Sequence, residues 1–367
     1  MLIILSVCLV VGSFLLSVVL TAVVRKWALR IGFVSKPRTD RFGSRQIPLG
    51  GGVAIFASLS FIILSAVLAL RLPFAQQYIN RFLDLANVKP ADFFAKFYQL
   101  ALVLACAFVF FALGLWDDKK HLGPFVKLAV QFAAALVAAA FADVRVELFI
   151  QSKIVTALLS AVWIVLIVNV FNFLDNMDGA CAGIAVIVSS VLFTAATLSG
   201  QTFVGGLALV FIGTLLGFLV FNFPPAKIFA GDAGSLVIGF FVASLSLKTT
   251  YYHQAGSGKW FAILMPLIAL AVPLYDFISV TFLRIRQGKS PFVGDTQHFS
   301  HRLNRRGLSQ TQTVLTLYLA TLCTGLGAAF LYQANAIGAI LIFIETVMIL
   351  SIIAILESTG NNSQTKI

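Results

Sequence analysis

Apolar stretches of about twenty residues, separated by short polar segments, recur from one end of the chain to the other. Each is long enough to cross a bilayer as a helix. The runs are continuous and do not alternate with period two, so they predict helices and exclude the strands of a membrane barrel. Eleven spans follow, at roughly 2–24, 49–70, 97–115, 124–142, 153–172, 181–199, 203–222, 232–248, 260–283, 311–333 and 337–356. The pair 181–199 and 203–222 is closely spaced, and fusion of the two into one kinked unit would change the count and the topology. The predicted fold is all-α, a polytopic integral membrane helix bundle of one domain over 1–357. Residues 358–367, "STGNNSQTKI", have the composition of a disordered tail.

Composition agrees: 60% of residues are hydrophobic and 11% charged, with a mean hydropathy of +0.98, outside the range of a soluble domain. The first span has no basic residue ahead of it, and Arg25, Lys26 and Arg30 follow it directly. A cleaved signal peptide has the opposite charge order, so a retained first helix is expected. Eleven spans sort the loops into two sets. One (25–48, 116–123, 223–231, 284–310 and the tail) carries seventeen Lys and Arg, the other carries eight, and Lys127 lies inside a span. The positive-inside rule places the first set in the cytoplasm, with the N-terminus outside and the C-terminus inside. The net charge of +12 therefore reflects topology and anionic membrane lipid, and implies no nucleic-acid partner. Cys8, Cys106, Cys181 and Cys323 are scattered through apolar runs, without the spacing of a disulfide framework or a thiolate metal site.

Most of the acids fall on the same side as the basic loops, although the sides were assigned from Lys and Arg alone. Asp117 and Asp118 end the third span in "GLWDDKKHLGP", Asp175 and Asp178 follow the fifth in "NVFNFLDNMDGACAG", and Asp232 follows the seventh in "FAGDAGS". Asp276 lies near the inner end of the ninth span and Asp295 in the loop after it. Carboxylates converging at one depth repel one another unless a cation sits among them. Hard oxygen donors without thiolate point to Mg2+, with Mn2+ able to substitute, and such an ion is what phosphoryl transfer uses to neutralise a diphosphate. Asn169, Asn172, Asp175 and Asp178 step by three, a slanting polar stripe at a helix end; the competing reading is a plain polar turn. In "GDTQHFSHRLNRRGLSQ", His298 and His301 stand beside Arg302, Arg305 and Arg306, which suits anion recognition better than zinc, against the plainer reading of a solvated basic loop. Lys127 can snorkel to the headgroups or meet a diphosphate. The run Gly50–Gly52 is compatible with a phosphate cradle and equally with close helix packing.

Taken in order, "KPRTDRFGSRQIPLGGGVAIF", "GLWDDKKHLGPFVKLAVQ", "NVFNFLDNMDGACAG", "IFAGDAGSLVIGF", "VPLYDF" and "SPFVGDTQHFSHRLNRRGLSQ" resemble the polyprenyl-phosphate N-acetylhexosamine-1-phosphate transferases, from about residue 36 to 310. The resemblance implies a Mg2+-dependent enzyme that moves a sugar-1-phosphate from a UDP-N-acetylhexosamine to undecaprenyl phosphate and releases UMP. By the same resemblance Asp117 and Asp118 are the adjacent aspartates, Asp117 deprotonating or orienting the lipid phosphate. Asn172, Asp118 and Asp232 are metal positions, and Asp175 and Asp178 lie around the nucleotide and metal. Lys127 is on the pyrophosphate side, His298, His301 and Arg302 meet diphosphate and sugar, and Asp276 and Asp295 accompany the substrate.

Where the family often reads Asp-Gly-x-Asp-Gly, this chain has Asn176 in place of the first glycine, a residue that tolerates the turn. "HFSHRLNRRGLSQ" is similar to the branch that acts on UDP-N-acetylglucosamine and starts O-antigen, teichoic acid, enterobacterial common antigen or exopolysaccharide chains. The phospho-MurNAc-pentapeptide branch, with its longer histidine run, is the alternative within the family. Direct attack by the lipid phosphate and a two-step route through an aspartyl phosphate both fit the residues. The implied setting is the bacterial inner membrane with the site on the cytoplasmic face, and a homodimer is compatible with such a bundle. From another class, a cation-coupled secondary transporter would place its acids near the bilayer midplane.

Overall fold

The computed structural model describes residues 2–35, 47–69, 90–146, 150–249, 260–290 and 299–358. The described helices are α1 (Leu2–Arg30), α2 (Gly51–Ala69), α3 (Pro90–Lys119), α4 (Pro124–Phe141), α5 (Lys153–Leu174), α6 (Ala180–Leu198), α7 (Thr202–Asn222), α8 (Gly231–Lys248), α9 (Met265–Ala269), α10 (Ala271–Arg286), α11 (Phe299–Asn304), α12 (Gln310–Leu331) and α13 (Ala336–Ser358). A 3₁₀ turn, Trp260–Leu264, leads into α9. Extended pairing among the described residues is limited to the isolated bridges Val34 with Pro48 and Leu49 with Phe229.

Ten of these helices are long and apolar enough to cross a membrane, and a bent pair, Phe261–Ala269 with Ala271–Arg286, makes an eleventh if it counts as one span. The predicted continuous span at 260–283 is therefore corrected: it breaks by 65°. Pro273 supplies the reason, because its ring lacks an N–H and collides with the carbonyl four residues back, that of Ala269. The spans predicted at 181–199 and 203–222 are two helices, α6 and α7, packed against each other. The third span runs further than predicted, to Lys119, so Asp117 and Asp118 lie in its last turn and not beyond it.

The bundle is organised around α8, of which 83% of the span is buried, whereas α1 and α13 are 11% and 17% buried and form the lipid-facing rim. Helices α2, α3, α5 and α6 surround α8, and α1 lies outside α7. Two glycines let the neighbours reach its N-terminal turn. A Cβ on Gly114 of α3 would sit 2.5 Å from the Ala233 backbone, and one on Gly52 of α2 would strike the Gly234 amide. The glycine run also carries hydrogen bonds, from Gly51 N–H to the Phe229 carbonyl and from Gly52 N–H to the Ala230 carbonyl, both at 2.9 Å. Of its two readings, packing is the one the structure shows.

Gly114→Val should therefore unseat α8, at a cost of about 1–3 kcal/mol or more. Thermal unfolding in detergent should show a clear fall in Tm for this variant and none for Gly12→Val, whose added carbon meets nothing within 4 Å. Equal Tm values for the two variants would contradict the packing.

Candidate active site

At the Gly231 end of α8 a loop-to-helix transition meets the ends of α3 and α4. Gly231 has φ +67°, a left-handed conformation that glycine adopts without strain. The residue before it, Ala230, has no side chain to cap the helix. The cap comes from elsewhere in the chain: Asp118 Oδ1 accepts from Asp232 N–H at 2.9 Å and Oδ2 from Ala233 N–H at 3.2 Å. The last turn of α3 thus satisfies the first turn of α8, and a carboxylate there also suits the helix dipole.

Beside this cap, Lys127 extends from α4 and is turned inward. Its Nζ lies 2.8 Å from Asp117 Oδ2 and 2.5 Å from Asp232 Oδ2, with only 14% of its side chain exposed. It does not snorkel. The other Asp117 oxygen accepts from Leu122 N–H at 2.7 Å, which folds the 120–123 connection back onto α3. Asn172, at the end of α5, joins the group by donating to Ser235 Oγ at 2.9 Å, and Ser235 in turn donates to the Asp232 carbonyl at 3.4 Å. One turn deeper, Asn169 donates to Gln131 Oε1 at 2.8 Å, tying α5 to α4.

The second pair of aspartates occupies the turn between α5 and α6. Asp175 ends α5, and Asp178 Oδ2 accepts from Ala226 N–H at 2.9 Å. Gly179, with φ +73°, donates its N–H to Asn222 Oδ1 at 3.1 Å, and its carbonyl accepts from Tyr318 Oη at 2.6 Å. A small cleft is lined by Asp175, Asn176, Asp178, Asn222, Phe229 and Gln310. A cavity of about 840 Å³ lies at the opposite end of the bundle, beside Trp163, Phe241 and Lys248, remote from these carboxylates.

Of the residues singled out in the sequence, Asp117, Asp118, Lys127, Asn172 and Asp232 form one contact network, and Asp175 and Asp178 lie at the end of the same α5. Asp276 is buried in α10, 3% exposed, and one turn on, Ser279 accepts from Arg302 Nη2 at 3.0 Å. His301 belongs to α11 by its backbone, while Asp295 and His298 lie outside the described residues. Several partners escaped the sequence reading: Gln131, Asn222, Ser235, Ser300 and Tyr318. Arg284, counted in the sequence with the loop 284–310, is instead 1% exposed in the last turn of α10, its guanidinium 5.0 Å from the Phe173 ring centre. Asp117, Asp118, Asp175, Asp178 and Asp232 stand at helix ends and turns, not at mid-helix as a midplane transport site requires, while Asp276 lies within α10.

Among the described residues no three Asp, Glu, His or Cys side chains form a ready-made metal cage. The donors nevertheless fit a hard divalent ion. Asp117, Asp118 and Asp232 supply only oxygen, and Asp117 and Asp232 share the one ammonium of Lys127.

At one end of an apolar helix bundle, then, a half-buried cluster of carboxylates surrounds one lysine. Residues 100–250 match the family described as glycosyl transferase family 4. The chain is 31% identical over 359 residues to a probable undecaprenyl-phosphate N-acetylglucosaminyl 1-phosphate transferase of Bacillus subtilis (strain 168), covering 95% of this chain and 90% of that protein. It is 29% identical over 345 residues to the undecaprenyl-phosphate alpha-N-acetylglucosaminyl 1-phosphate transferase of Salmonella typhi (88% and 83% covered) and 27% over 327 residues to that of Escherichia coli (strain K12) (84% and 79% covered). The chain therefore belongs to glycosyl transferase family 4, in the branch of the undecaprenyl-phosphate N-acetylglucosaminyl 1-phosphate transferases. It is a multi-pass membrane glycosyl phosphotransferase.

Removing Lys127 leaves two carboxylates facing each other. Lys127→Met should lower stability by about 3–5 kcal/mol, read as a fall in Tm, and adding Asp232→Asn should restore part of it. A double variant no more stable than the single one would show that Lys127 does not hold the carboxylates together.

Proposed function

We propose that the protein transfers N-acetylglucosamine-1-phosphate from UDP-N-acetylglucosamine to undecaprenyl phosphate and releases UMP, as the first membrane step of a cell-envelope polysaccharide. The observation that carries this reading is Lys127 clamped between Asp117 and Asp232 from three different helices, beside the paired aspartates of the α5–α6 turn. The relatives' names supply the acceptor and the sugar.

In the proposed reaction an oxygen of the lipid phosphate attacks the phosphorus that carries the sugar. A new P–O bond forms, the bond to the oxygen bridging the two nucleotide phosphates breaks, and UMP leaves with that electron pair. The lipid phosphate is already ionised near pH 7, so no strong base is needed. Asp117 orients it and Lys127 offsets its charge, while Asp175 and Asp178 face the nucleotide. The oxygens of Asp232, Asn172 and Asp118 are the donors for Mg2+, with Mn2+ as a substitute; bound there, the ion neutralises charge on the diphosphate. Asp118 also keeps the α8 terminus in place. Arg302, His298 and His301 meet diphosphate and sugar, and Asp276 and Asp295 accompany the substrate.

The basic loops, and the site with them, belong on the cytoplasmic face of the bacterial inner membrane, with the N-terminus outside and the C-terminus inside. A C-terminal green fluorescent protein fusion should fluoresce and an alkaline phosphatase fusion should be inactive; an active phosphatase would reverse the orientation.

Purified protein in detergent, given undecaprenyl phosphate, Mg2+ and UDP-N-acetylglucosamine, should release UMP only when the lipid is present. EDTA should abolish release and Mg2+ restore it. Asp117→Asn and Asp232→Asn should each lower the rate by about 100-fold or more. Absence of UMP with every UDP-N-acetylhexosamine, from folded protein with accessible lipid, would overturn the assignment.

A further inference from the structure

Between Asp175 and Asp178 stands Asn176, whose side chain is engaged at both ends. Its Nδ2 donates to the Phe173 carbonyl at 2.8 Å, and its Oδ1 accepts from Ser300 Oγ at 2.7 Å. Ser300 lies 124 residues away in α11 and is 3% exposed. The bond to a carbonyl fixes which end of the amide carries the nitrogen, so the oxygen is the end presented to Ser300.

Six residues make too short a helix to hold its own shape or place, so α11 depends on what it touches. Its anchors are Ser300 on the aspartate turn, the buried Leu303, and Arg302 donating to Ser279 of α10. The turn does not depend on α11 in return. Gly179 is held by Asn222 and Tyr318, and Asp178 by the Ala226 amide. Tyr318 can approach because Gly183 has no side chain where the tyrosine ring lies.

We propose that Asn176 and Ser300 are a positioning pair that seats the basic helix α11, and with it Arg302, against the carboxylates of the α5–α6 turn. The pair rests on the transferase reading for its consequence: it sets the distance between the arginine side and the aspartate side of the nucleotide sugar. It touches neither the reacting phosphorus nor the Lys127 cluster, so its loss acts on binding of the nucleotide sugar more than on the chemical step. Because the turn keeps its other anchors, the fold survives that loss.

The test uses the full chain in detergent with Asn176→Ala, Ser300→Ala and the double variant. Each single change should raise KM for UDP-N-acetylglucosamine about fivefold, the loss of one hydrogen bond, with kcat changed less than about twofold. The double variant should match a single one, because the two side chains act as one unit. Trypsin should cut after Arg305 and Arg306 faster in all three variants, with Tm and cleavage after Lys119 and Lys120 unchanged. Independent, multiplying effects on KM, unaltered cleavage at Arg305 and Arg306, or a fall in Tm that accounts for the kinetic change would each overturn the pair. If the unmodified protein releases no UMP with any UDP-N-acetylhexosamine, the reaction assignment fails, and the cleavage comparison alone decides whether Asn176 and Ser300 seat α11.

Discussion

One ammonium group holds the acidic end of the bundle together. Lys127 reaches from α4 to Asp117 on α3 and Asp232 on α8, in a region where two carboxylates in contact would otherwise drive their helices apart. That bridge fixes the mutual depth of three helices, and Asp118 adds to it by capping α8 with both oxygens. The same side chains that seat the central helix also carry the site's charge.

From that constraint the surrounding architecture follows. Neighbours can bring charged side chains to the N-terminal turn of α8 only if their backbones come close, and Gly52 and Gly114 make that approach available. The second acidic group is set differently, in a turn held by a buried asparagine, a tyrosine hydroxyl and a backbone amide. Asn172 joins the two groups, since it ends α5 just before that turn and bonds to Ser235 of α8.

The span pattern was legible because lipid demands about twenty apolar residues per crossing, a signal local to each segment. The break at Leu270 was also written in the chain, as Pro266 and Pro273 seven residues apart, but hydropathy averages over it. The aspartates could be placed at one end because topology and acid positions were independent and coincided. Their partners could not. That Lys127 turns inward, that Arg284 is buried against Phe173 and that Tyr318 meets Gly179 all depend on how helices distant in sequence approach. Ser300 looked like one more polar residue in a basic segment, since nothing local marks its bond to Asn176. The glycine run could be read two ways until its contact with α8 was seen.

Helix α8 has 18 residues, which at a rise of 1.5 Å make about 27 Å, whereas the 29 residues of α1 make about 43 Å. A hydrocarbon core is about 30 Å thick, so the central helix falls slightly short of the layer it crosses while α1, on the rim, overshoots. Asp232, in the first turn of the shorter helix, therefore lies near the hydrocarbon boundary, at the level where phospholipids carry their own phosphates. In the proposed reaction, a phosphate on a long isoprenoid chain would meet the acidic end of α8 with its tail still in oil.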